Sequence, residues 1–224
     1  MNAERLAADR AAALRIVLVS RETLERLDAF APLFLKWQRA VQLVAPSTLP
    51  NLWTRHIADS LQLLDLAYDA KTWADLGTGG GFPGLVLAIA RAKEPGWLMH
   101  LIESDTRKAA FLREAARVTG AAAKVHHERI ESAAKRLGKI DVVTARGLAP
   151  LPRLIDLAAP LLGQGARGIF LKTQHVEEEL TEATKSWSIN SAIVPSLTDS
   201  RGRIVVIESV SRRSDVGRSG EAAP

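Results

Sequence analysis

The segment Asp75-Leu76-Gly77-Thr78-Gly79-Gly80-Gly81-Phe82-Pro83-Gly84 carries the chain's strongest ligand-binding character. Gly77, Gly79 and Gly81 can take positive φ and have no Cβ, so a ligand can lie against the backbone. Asp75 closes a short apolar run, at the carboxyl edge where open sheets bind ligands. Pro83 suits a first helical turn, where its missing N–H is no loss. This is the equipment for holding a nucleotide-like cofactor. Counted from Gly79, the dinucleotide spacing G-x-G-x-x-G is met with Gly84 last; counted from Gly77 it fails at Phe82. Glu103 closes the next apolar run, where a carboxylate can accept both hydroxyls of an adenosine ribose. That acid serves either type of adenosine cofactor.

Other polar residues are weaker candidates. Arg146 follows an apolar run and falls at the same sheet edge. Its guanidinium could meet a phosphate or order the cofactor pocket, or simply lie at the surface. Arg55 and Asp59 stand four apart and read as a helical ion pair. His56 reads as a residue packed at the rim of the helical region, or as one that stacks on RNA. His126 and His127 have no metal-ligand spacing around them and read as structural. Arg201, Arg203, Arg212 and Arg213, with Arg107 and Lys108, could line an RNA track or form a solvated basic face.

The elements that position these residues follow from periodicity. Residues 1–70 read as a helical cap. Leu24, Leu27, Ala31, Phe34 and Leu35 repeat at helical spacing, a break follows at Pro46–Pro50, and a second helix carries Trp53, Ile57, Leu61 and Leu64 on one stripe to about Tyr68. From residue 71 short apolar runs alternate with amphipathic helices. Expected strands are 72–76, 98–103, 123–126, 140–145, 168–172, 188–195 and 203–209. Expected helices are 83–91, 106–118, 130–137 and 151–162. Alternation of this kind predicts an α/β, doubly wound, mainly parallel seven-stranded sheet over residues 71–209, with an antiparallel member near its end. Residues 210–224 lack apolar periodicity and read as a disordered tail.

Composition narrows the class. The chain has 224 residues, 47% of them hydrophobic, which supports one α/β domain with a small addition. It contains no cysteine, which excludes disulfides, thiolate metal sites and a cysteine nucleophile. A net charge of +5 suits a polyanionic partner, or equally a soluble protein that simply has more arginine than glutamate. The N-terminal apolar stretch is broken by Arg15 and does not read as a secretory signal. No apolar run is long enough to span a bilayer. The expectation is a cytoplasmic, monomeric, metal-free protein.

The acid two places before Gly77, followed by G-x-G-x-G, resembles the class I S-adenosylmethionine-dependent methyltransferases. Five further segments sharpen the likeness. They are Lys36-Trp37-Gln38-Arg39-Ala40, Arg55-His56-Ile57-Ala58-Asp59-Ser60-Leu61, Gly81-Phe82-Pro83-Gly84, Glu103-Ser104-Asp105 with the run from Arg107 to Arg113, and Arg129-Ile130-Glu131 with the run from Asp141 to Gly147. From about residue 20 to 209 the chain resembles the ribosomal small-subunit methyltransferase G family, also called glucose-inhibited division protein B.

The resemblance implies a Rossmann-like methyltransferase sheet under an N-terminal helical cap. It implies S-adenosyl-L-methionine as cofactor, 16S rRNA or the small ribosomal subunit as partner, and methylation of N7 of one guanine. Carried over by position, Asp75, Gly77, Gly79, Gly81, Phe82 and Glu103 hold the cofactor. Ile130 and Glu131 flank its adenine, and Arg146 sits beside it as the catalytic candidate. Guanine N7 has a free lone pair, so in-line positioning suffices and no general base is required. Two departures stand out. Thr173 follows Lys172 where the family often has glycine, and Gln42-Leu43-Val44 replaces an Asn-Leu-Thr. A nicotinamide-dependent oxidoreductase and a non-catalytic RNA-binding protein are the alternative readings. The sole tyrosine, Tyr68, precedes the first strand, which speaks against a Tyr-Lys dehydrogenase.

Overall fold

The computed structural model describes residues 3–173 and 175–213. Strands β1 (Thr72–Leu76), β2 (Leu98–Glu103), β3 (Ala123–His127), β4 (Val142–Arg146) and β5 (Arg167–Lys172) pair in parallel. β6 (Trp187–Pro195) and β7 (Arg203–Arg212) complete a sheet of order β3-β2-β1-β4-β5-β7-β6. β7 is antiparallel to both β5 and β6, as expected for one closing strand. The order reverses between β1 and β4, and the crevice of a doubly wound sheet opens at that point.

The strands read as unbroken apolar runs because both faces are covered. On one face α4 (Gly84–Ala90) and α5 (Thr106–Thr119) pack together with the N-terminal helices. On the other lie α6 (Ile130–Arg136), α7 (Leu151–Leu162) and α8 (Val176–Ala183). Helix α8 was not anticipated. Its apolar positions Val176, Leu180 and Ala183 make a stripe too short to stand out beside Glu177, Glu178 and Glu179.

The N-terminal region contains α1 (Ala3–Ile16) and α2 (Arg21–Gln38), with Leu27, Phe30, Ala31 and Phe34 buried. Its second half differs from the expected single helix. A 3-10 stretch at Pro46–Asn51 leads into a π-helical stretch at Leu52–Ala58. One α turn, α3 (Asp59–Leu61), and a 3-10 turn at Gln62–Leu66 follow. The change of pitch buries Leu63 fully, while Leu64 packs against the same core partly buried. Asp9 of α1 caps the π-helical stretch from outside, accepting from Trp53 N at 2.7 Å and Thr54 Oγ1 at 2.6 Å. The described cap residues, 3–70, share one continuous core with the sheet, from Phe30 and Trp53 through Trp73 to Ile169.

The sheet does not stop at residue 209. β7 runs to Arg212, which pairs with Trp187 and lies 4.9 Å over its ring. The polar pattern of Ser209, Ser211 and Arg212 hid this extension. The rest of the expected disordered tail, residues 214–224, lies outside the described residues.

Candidate functional site

The turn between β1 and α4 is built around Asp75. This carboxylate is fully buried under the glycine loop. It accepts from Thr78 Oγ1, from Gly84 N at 2.9 Å and from Thr144 Oγ1 at 2.8 Å. Burial pushes its pKa up to about 6, against the opposing pull of these hydrogen bonds. Every donor comes from the loop, the helix start or β4, so Asp75 holds the loop's shape from beneath. Gly84 is required here, since a Cβ would come within 2.6 Å of Asp75 Cβ and of Leu101 Cδ2. Gly79 has φ +53°, and a Cβ there would clash with nothing, coming no closer than 3.8 Å to Gly77 O. Its N–H donates to Glu103 Oε2 at 2.9 Å, while Glu103 Oε1 accepts from Asp105 N at 2.7 Å. The acid closing β2 thus touches the glycine loop directly.

The cap closes over this loop. Gln38 of α2 shapes the Leu43–Val44 turn, accepting from both backbone N–H groups and donating to Val44 O at 2.9 Å. The Leu43 backbone then lies where a Cβ on Gly80 would approach its carbonyl to 3.0 Å. Arg107 donates to Ala40 O, and Trp37 Nε1 donates to Glu114 at 3.0 Å, joining the cap to α5.

Arg146 joins the cap to β4. Its guanidinium donates to Arg55 O at 3.0 Å and to His56 Nδ1 at 2.7 Å, and stands 3.6 Å from Asp59 Oδ2. It also lies 5.1 Å over the Phe82 ring, which His56 approaches at a 4.9 Å ring separation and Phe30 and Phe34 meet from the cap. Burial lowers the Arg146 pKa, with Asp59 and Asp75 pulling the other way. Arginine can only donate, so His56 Nδ1 accepts and its Nε2–H donates to Thr48 Oγ1 at 2.9 Å. Burial first, then Arg146 and Arg55, hold the His56 pKa at about 3. The ring is therefore neutral and one tautomer is selected.

Asp59 does not pair with Arg55. Its Oδ1 accepts from Gln62 Nε2 at 2.7 Å, Thr198 Oγ1 at 2.6 Å and Ser196 Oγ at 3.2 Å. Arg55 instead faces Asp199 Oδ2 at 3.8 Å. Ser196, Thr198 and Asp199 come from the loop joining β6 to β7, which no helical spacing could reveal. The signal for Asp59 was its place in the Arg55–Leu61 block; Asp199 carried none.

These elements enclose a cleft of about 850 Å³, within the size range of small-molecule sites. Gly77, Gly79, Phe82 and Arg146 line it, together with Thr48, Arg55, His56, Asp59, Lys172 and Asp199. Asp75, Gly81 and Glu103 are not in the lining; Asp75 is fully buried, and Glu103 adjoins the cleft through its bond to Gly79, which does line it. Ile130 and Glu131 are not in the lining either. Ile130 packs on the core of the opposite face, and Glu131 is exposed and pairs with Arg153 at 3.2 Å. Lys172 is tied to Glu179 at 2.6 Å and to Ala149 O at 3.0 Å. His126 and His127 lie outside the cleft lining. His126 bonds His100 at 2.8 Å, and His127 meets Thr106 Oγ1 and Ser104 O. Among the described residues no cluster of His, Asp or Glu is arranged to hold a metal ion, and no helix is long and apolar enough to cross a membrane.

Known proteins share both the sequence and the fold. The family model for rRNA small subunit methyltransferase G matches residues 23–209. The ribosomal RNA small subunit methyltransferase G of Bradyrhizobium sp. (strain BTAi1) is 57% identical over 210 residues, covering 93% of this chain and 95% of its own. Among solved structures, the ribosomal protein L11 methylase of Lactobacillus delbrueckii subsp. bulgaricus superposes with a TM-score of 0.51 at 21% identity, over 71% of this chain and 79% of its own. The magnesium protoporphyrin IX methyltransferase of Synechocystis, solved with bound SAM, gives 0.52 at 15% identity, over 86% and 100%. The match to the family model spans the glycine loop, the cap residues that close on it and the sheet that carries both, and the chain belongs to the rRNA small subunit methyltransferase G family, a methyltransferase of small-subunit ribosomal RNA.

Proposed function

We propose that the chain transfers the methyl group of S-adenosyl-L-methionine to N7 of a single guanine in 16S rRNA. The observation that carries this reading is the cleft itself, which brings the β1–α4 glycine loop, the end of β4 and the helical cap to one opening. Its lining fits such a cofactor. Gly79 leaves room for a ligand where another residue's Cβ would project, and Glu103 reaches the same loop from β2. When bound, the cofactor supplies an electrophilic methyl group on a cationic sulfur.

The chain's own residues then have defined tasks. Gly77, Gly79 and Phe82 form the floor against which the cofactor lies. Glu103 fixes Gly79 and offers its carboxylate toward ribose hydroxyls. Asp75 and Gly81 act from beneath, by holding the loop. Arg146 is a positioning residue that keeps His56 and Phe82 in register with the sheet. Guanine N7 needs no deprotonation, and the buried neutral His56 gives its only N–H to Thr48, which agrees with a reaction driven by alignment. Lys108 and Arg203 at the cleft supply positive charge for an RNA backbone, while Lys172 is paired with Glu179. The base must leave its stack to enter.

The test has two parts. Calorimetric titration with S-adenosylhomocysteine and with NAD should show binding of the first only. Small subunits lacking the modification, incubated with the enzyme and S-adenosylmethionine, should acquire 7-methylguanosine at one position of 16S rRNA. NAD binding, or a methyl group placed on another atom, would overturn the proposal.

A further inference from the structure

The cleft has a second end, formed where the loop between β6 and β7 meets the cap. β6 runs in the direction of β1–β5, so this loop leaves the sheet at the same edge as the glycine loop. In the sheet β7 is three strand steps from β1, roughly 14 Å away at about 4.8 Å per step. That separation leaves room for a cofactor against β1 and a nucleobase toward β7.

The charged side chains at the cleft are unevenly divided. Arg55, Lys108, Arg146, Lys172 and Arg203 are cations, and Asp59 and Asp199 are the carboxylates lining it among the described residues. Asp59 is committed. One of its oxygens accepts three side-chain donors and the other faces Arg146. Asp199 is not. Its Oδ1 accepts from Arg201 N at 2.9 Å, with Arg201 Nε at 3.9 Å, and its backbone carbonyl accepts from Gly202 N at 2.8 Å. Its Oδ2 has Arg55 NH1 at 3.8 Å, beyond hydrogen-bond length. A partly exposed carboxylate, with one oxygen that accepts no hydrogen bond and only a loose ion pair with Arg55, therefore stands beside a guanidinium at the β7 end of the cleft.

Guanine presents O6, N1–H and the N2 amine along one edge. Recognition that leaves N7 free for methylation must use that edge. A carboxylate accepts from N1–H and N2–H together, and a neighbouring guanidinium donates to O6. Adenine would set its amine against Arg55 and its N1 lone pair against Asp199. Resting on the guanine reading above, we infer that Asp199 is the residue that selects guanine, by accepting from its N1–H and N2 amine, with Arg55 beside it for O6.

The experiment uses small subunits assembled on 16S rRNA carrying either guanosine or inosine at the methylated position. Inosine keeps N1–H and O6 and lacks the N2 amine. The wild-type enzyme should lose about 10–100-fold in kcat/KM on inosine, the range for one charge-assisted hydrogen bond. Asp199→Asn should fall to the low level on guanosine and discriminate little between the two bases, with unchanged affinity for S-adenosylhomocysteine. Asp199→Ser, which can still cap the Arg201 N–H, should behave like Asp199→Asn. Equal wild-type rates on the two bases, or an undiminished guanosine-to-inosine ratio in the variants, would overturn the assignment. Failure of the wild type to form 7-methylguanosine at all would instead overturn the guanine reading on which it rests.

Discussion

Arg146 and His56 are 90 residues apart in sequence, and an Arg146 guanidinium nitrogen lies 2.7 Å from His56 Nδ1. The same guanidinium stacks on Phe82 of the glycine loop and faces Asp59 of the cap. One side chain thereby holds the sheet, the cofactor loop and the cap in a common register. Replacement by alanine should lower methyl transfer by about 100-fold through misplacement of the reacting groups. Arg146→Lys should recover little, because an ammonium cannot stack and donate in several planar directions at once. Steady-state kinetics beside thermal unfolding checks this; a fully active Arg146→Ala enzyme would remove Arg146 from the site.

His56 makes stability depend on pH. In the unfolded chain a histidine takes up its proton near pH 6.5, whereas the buried ring does so only at about 3. Between these values the unfolded state binds more protons, so stability falls as pH drops through the window. The contribution is fully present above pH 6.5. His100, held to about 4 chiefly by burial, acts in the same direction. His56→Asn should therefore flatten the decline in urea-unfolding free energy between pH 7 and pH 4 without abolishing it. An identical slope in both proteins would contradict this account.

Two glycines give opposite expectations. At Gly84 an added Cβ meets Asp75 and Leu101 at 2.6 Å, with β1 and α4 both fixed. Gly84→Ala should destabilise the fold by about 1–3 kcal/mol, as overpacking does, and weaken binding of S-adenosylhomocysteine. At Gly138 a Cβ meets nothing within 4 Å and the backbone is not left-handed. Gly138→Ala should leave melting temperature and binding unchanged or slightly improved. Similar effects from the two substitutions would show that contact with Asp75 is not what constrains Gly84.

The two acids named from sequence should also separate. Glu103 holds Gly79 N and Asp105 N, while Glu131 is exposed and pairs with Arg153. Glu103→Ala should reduce affinity for S-adenosylhomocysteine by about 10-fold or more, since it frees the loop and removes the ribose acceptor. Glu131→Ala should change it little. Calorimetry on both variants decides; a larger loss at Glu131 would place the adenine against α6 after all.

Much of this was legible in the chain. The apolar runs of β1–β5 and the glycines of the first turn follow from local chemistry, because parallel strands are buried on both faces and a tight turn demands residues without side chains. The antiparallel closing strand could be inferred from the thin helical content before it. The motif blocks around Gln38, His56 and Gly84 pointed to the residues that assemble the site.

What sequence spacing could not supply was partnership across distance. Asp59 looked like the mate of Arg55 because they stand four apart, yet a change of helical pitch and the β6–β7 loop gave each a different partner. Asp75 looked like a ligand contact because it ends a strand, yet three donors draw it beneath the loop. Local patterns report which face of an element is apolar, and so determine strands, helices and turns. A carboxylate or guanidinium can satisfy its charge with any partner that folding brings near, so pairing among Asp59, Arg146, His56 and Asp199 was decided only when the cap closed on the sheet.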